Sequence, residues 1–65
     1  MLFDLIDHAI ASELGVDTET YIEIIENKCS YEEADFIIDA IWNEREEDIE
    51  KAKIIFNNYL NEQFR

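Results

Sequence analysis

One glycine and no proline interrupt this 65-residue chain, so a helix, once begun, meets little that would stop it. The apolar residues recur with a period of about 3.6 almost throughout, which argues for helices and against strands. The few start and stop signals divide the chain into four helical segments. The first covers about 2–14, with Leu2, Leu5, Ile6, Ala9 and Ile10 on one broad face and Phe3 and Leu14 at its edges. Gly15 is placed to end that helix in the left-handed conformation. Asp17 then reads as an N-cap, with Val16 and Tyr21 spaced as a hydrophobic staple. The second helix runs about 18–28 and is expected to bury Tyr21, Ile22 and Ile25.

Ser30-Tyr31-Glu32-Glu33 is a capping box that opens a third helix. Its expected inward stripe is Ala34, Ile37, Ile38 and Ile41, with Tyr31 and Trp42 beside it. Asn43 and Glu46 repeat the cap signal more weakly. They predict a break near 44, because an unbroken 30–64 helix would be about 50 Å long. The last helix then carries Ile49, Ala52, Ile55, Phe56, Tyr59, Leu60 and Phe64 inward. The expected fold class is all-α: one small helical domain spanning 1–65, of three to four short helices. A chain this short buries a modest core, so self-association is expected to complete it.

Two apolar residues fall outside these stripes. Phe36 is read as facing outward among Glu32, Glu33 and Asp39, and Ile54 as facing outward beside Asn57, Asn58 and Asn61. Single exposed apolar residues are ordinary. Together with Tyr59 and Phe64, these two are nonetheless candidate protein contacts. The last helix is the expected dimer element, because it escapes the acidic self-repulsion of the rest.

Charge is the unusual property. Seventeen acids against five Lys and Arg leave a formal net charge of −12. That balance argues against direct nucleic-acid binding, which needs clustered cations for phosphate. No uncharged apolar run approaches the roughly 18–20 residues of a membrane span. The start of the chain meets Asp4 at once and lacks the cationic region of a signal peptide; a cytoplasmic location is expected, in the host if the chain is viral. The 48% hydrophobic content is too high for a disordered acidic tail.

The acids concentrate before residue 51. Residues 1–28 carry −6, residues 29–50 carry −8 and residues 51–65 carry +2. The candidate acidic binding face is Glu19, Glu23 and Glu26, then Glu32, Asp35 and Asp39, then Glu47 and Glu50, with Glu44, Glu46 and Asp48 close by. Carboxylates at i and i+4 lie about 6 Å apart, near the per-strand phosphate repeat of a nucleic acid. Such a surface suits either a basic protein partner or the groove of a DNA- or RNA-binding protein. It is also what any solvated exterior looks like.

Catalytic and metal signals are weak. Asp4 and His8 share a helix face, but two ligands do not make a lasting metal site, and His8 is the sole histidine. Neither a Glu-x-x-His pair nor an EF-hand loop is present. Cys29 stands alone, so there is no disulfide framework. It occupies the staple position before Ser30, among Glu26, Glu32 and Glu33, which oppose thiolate formation. No Ser/His/Asp arrangement or glycine-rich phosphate loop occurs, and so short a helical chain leaves little room for a pocket. The reading is a non-enzymatic protein without metal or cofactor, working through another protein and through copies of itself. Eleven Ile and five Asn suit an AT-rich genome, and small acidic helical chains suit phage accessory proteins. That bears on origin and assigns no activity.

Overall fold

The structure, a computed structural model, describes residues 5–63. It is a small all-α domain of four helices with no strand among the described residues: α1 (Leu5–Leu14), α2 (Thr18–Asn27), α3 (Tyr31–Trp42) and α4 (Glu46–Gln63). Each boundary has a local cause. Gly15, at φ 77°, ends α1 in a Schellman motif: its N–H donates to Ser12 O and that of Val16 to Ala11 O, both at 3.1 Å. Asp17 caps α2, its carboxylate accepting from Thr20 N at 2.8 Å. Ser30 and Glu33 form the reciprocal capping box of α3.

The break between α3 and α4 is real, but its chemistry differs from expectation. Asn43 does not cap α4. It is the C-cap of α3, and its side-chain amide donates back to Asp39. The turn repeats the Schellman pattern that ends α1, with Glu44 N donating to Ile41 O and Arg45 N to Ala40 O. Glu44 therefore occupies the left-handed position at φ 53°. A non-glycine residue there costs about 1–2 kcal/mol.

One core joins all four helices: Ile10 and Ala11, Tyr21 and Ile24, Ile37, Ala40 and Ile41, Ala52 and Phe56. The rings of Tyr21 and Phe56 stack across it with centroids 6.4 Å apart. α3 packs most extensively on α4, α1 packs on α2 and α3, and α2 reaches α4. Tyr59 ties α4 to the start of α3, its hydroxyl donating to Glu33 Oε1 at 2.5 Å.

Several expected faces are corrected. In α1 the buried residues are Ile10 and Ala11, with Leu14 packed against the core. Leu5 is 86% exposed and Ile6 42%, and Ala9 is exposed. The inward direction is turned by roughly 120° from the one predicted, taking about 100° per residue. In α2 the fully buried isoleucine is Ile24, while Ile22 and Ile25 are half-buried. In α3 Ala40 joins Ile37 and Ile41 inside, whereas Tyr31 and Trp42 are exposed. Phe36, one turn before Ala40, stands on the flank of that inward face and packs against the core; it is not an outward-facing residue. Ile54 does face solvent, and Tyr59 is half-buried. Leu2, Phe3, Asp4 and Phe64 lie outside the described residues. No helix among the described residues is long and apolar enough to cross a membrane.

Candidate functional site

The turned α1 leaves part of its apolar surface outside the core. Ala9, Ile10 and Glu13 form one wall of an open groove, and Ile41 and Trp42 at the end of α3 meet them. Glu44 in the turn, then Glu46 and Ile49 of α4, complete the lining. Its volume is about 580 Å³, within the roughly 300–1,000 Å³ of ligand pockets. The expectation that so short a chain has little room for such a space is thereby corrected. Trp42 stands half exposed at its side.

The groove has an apolar floor and an acidic rim. Glu13 lies on the α1 side, and Glu44 and Glu46 lie opposite. Lys53 reaches Glu13 at 3.6 Å. Arg45, the cation of the turn, points elsewhere, to Asp39 at 2.9 Å and Asp48 at 3.9 Å. Among the described residues the lining contains carboxylates but no imidazole, thiol or cation. A second, smaller hollow of about 260 Å³ lies between Glu33, Ile55, Asn58, Tyr59 and Glu62.

The predicted acidic residues are carried by three helices. Glu19, Glu23 and Glu26 are exposed along α2, and Glu32 and Asp35 along α3. The extensive packing of α2 is with α1 and that of α3 with α4. Glu47 and Glu50 are exposed on α4. Asp39 is already paired with Arg45, and Glu23 accepts from the Asn27 side chain at 2.9 Å.

Cys29 and His8 each contact another part of the fold. Burial, reinforced by Glu33, pushes the Cys29 thiol up to about 11, and the side chain packs against the core. Such a thiol is protonated near neutrality and is a poor nucleophile. His8 is exposed on α1, its Nδ1 2.8 Å from Thr18 Oγ1 at the start of α2. Among the described residues no three His, Cys, Asp or Glu side chains are grouped to hold a metal ion.

The groove is not legible in the sequence, where Trp42 reads as a neighbour of the inward stripe of α3. The usable signal was its position as the last residue before the break, where packing neighbours run out. Comparison of the chain with protein-family models, with curated proteins and with solved structures finds no match.

Proposed function

We propose that this protein is a non-enzymatic binding module whose partner is another protein with a basic surface. One observation carries this reading: the half-exposed Trp42 beside an apolar groove rimmed by Glu13, Glu44 and Glu46. Half-buried tryptophans are frequent anchors of protein contacts. The net charge of −12 favours basic partners and speeds their encounter. The setting is the cytoplasm, that of the host if the protein is viral.

Self-association is the second part of the proposal. The exposed Ile54 lies on a strip of α4 with Asn57, Asn58 and Asn61, and no charged residue occurs from 54 to 61. Such a strip suits a two-fold contact between copies. Light scattering that finds only monomer at high micromolar concentration overturns this part.

Affinity capture from the native host, followed by binding of the purified partner, tests the main reading. Association should slow as salt rises while dissociation changes little. An interaction indifferent to salt, or metal bound stoichiometrically and lost in His8→Ala, overturns it. Competition with labelled DNA or RNA separates an adaptor from a nucleic-acid mimic. Direct displacement, abolished by reversing Glu23, Asp35 and Asp39 to Lys, favours the mimic.

A further inference from the structure

We infer that the groove between α1 and the α3–α4 turn receives a cationic amphipathic helix of the partner, one apolar side chain seated against Trp42 and Lys or Arg heads against the acidic rim. This deepens the binding-module reading and rests on it. The chemistry of the groove selects the occupant. Its accessible apolar surface comes from Ala9, Trp42 and Ile49, with Ile41 and the fully buried Ile10 packed beneath. Ile6 stands one turn before Ile10 and on the same side of α1 as Ala9 and Glu13, so the apolar surface continues past the groove's end. Carboxylates stand on both sides, Glu13 on one, already paired with Lys53, and Glu44 and Glu46 on the other. A helix with a narrow apolar stripe flanked by cations is the complement of that pattern.

The rival occupants fit less well. A second copy brings seventeen acids and five Lys and Arg, and two of those cations, Arg45 and Lys53, are already paired within the chain. Nucleic acid and anionic lipid would place phosphate against the rim. Among the described residues neither Glu44 nor Glu46 makes an ion pair, so both carboxylates are available to incoming cations. An Arg placed over the Trp42 ring would add a cation–π contact.

The chain's only tryptophan is Trp42, so tryptophan emission reports the surroundings of this one side chain beside the groove. The probe is a synthetic helical peptide of Leu and Lys, about four turns long. Its controls are the same peptide with Leu replaced by Gln and the same peptide with Lys replaced by Glu. The Leu–Lys peptide should give a saturable blue shift of Trp42 emission. The Gln control should bind about tenfold more weakly without a shift, and the Glu control should not bind. By calorimetry, Trp42→Ala should weaken the Leu–Lys peptide about tenfold. So should Glu44→Lys with Glu46→Lys. The distant pair Glu19→Lys with Glu23→Lys makes the same change in net charge and should cost less than about twofold. Far-UV circular dichroism confirms that each variant is folded, and the rim reversal remains informative if Trp42→Ala is not. Binding without a Trp42 shift, or equal weakening by the two charge reversals, overturns the groove and leaves only general attraction to an acidic exterior. The two readings fail separately. A captured partner that binds Trp42→Ala and the rim reversal normally overturns the groove alone, whereas absence of any salt-sensitive protein partner overturns the module.

Discussion

Tyr59 of α4 donates its hydroxyl hydrogen to the Glu33 carboxylate, the same carboxylate that accepts from Ser30 N in the capping box of α3. A tertiary contact and a helix cap thus share one acceptor. The Tyr59 hydroxyl, then the Ser30 N–H, hold the Glu33 carboxyl below its ordinary value of 4.5. A carboxyl depressed in the fold contributes stability above its unfolded value, lost as pH falls through the folded one. Tyr59→Phe removes the larger cause. Its melting temperature should lie below that of the parent at neutral pH, and the gap should narrow on acidification below about 4.5. Paired thermal melts across that range check this; a gap independent of pH would mean that the hydroxyl acts by packing alone.

Phe56 is fully buried and stacks with Tyr21. Truncating such a ring to Ala costs about 3–5 kcal/mol. A chain of this length has roughly 3–10 kcal/mol in total. Phe56→Ala should therefore lower the melting temperature by at least about 15 °C, and Phe56→Leu by much less. Circular dichroism melts of both variants supply the test.

Glu44→Gly should stabilise the protein while weakening the groove. The substitution relieves the left-handed strain of about 1–2 kcal/mol but returns about 0.4–1 kcal/mol through a freer unfolded chain. A net gain near 0.5–1 kcal/mol is expected in urea melts. Binding of the Leu–Lys peptide should fall in the same variant, because one rim carboxylate is gone.

Alkali should unfold the domain in a defined window. Burial first, with Asp7 and Cys29 assisting, pushes Tyr21 up to about 12 from 10.0, and Cys29 rises to about 11 from 9.0. Both raised values mean that the fold favours the neutral forms. Their contribution is full below pH 9 and is lost as pH rises through about 9–12. Tyr21→Phe should blunt the upper part of that loss. A thiol reagent should modify Cys29 slowly at pH 8 and much faster in urea at the same pH.

Phe36→Ala separates a packing role from a contact role. Since Phe36 packs against the core, truncation should cost about 1–2 kcal/mol of folding stability. Unchanged stability with lost partner affinity would instead restore the outward reading of this side chain.

The helices and their ends were legible because they depend on neighbours within a few residues: Gly15 for the left-handed stop, Asp17 for its cap, Ser30 with Glu33 for the reciprocal box. The acidic rows were equally plain, since exposure of carboxylates needs no knowledge of the fold. Which apolar face turns inward is a different kind of quantity. α1 is apolar over more than half its circumference, so any of several rotations would bury a reasonable stripe. The choice of Ile10 and Ala11 over Leu5 and Ile6 was made by where α2 and α3 lie against it. The same holds for Phe36, drawn onto the flank of the core beside Ala40, and for Trp42, left at the end of α3 where the chain turns away. The groove exists because α1 lies beside the α3–α4 turn, a segment distant from it in sequence, and such proximity is a property of packing that no local period encodes.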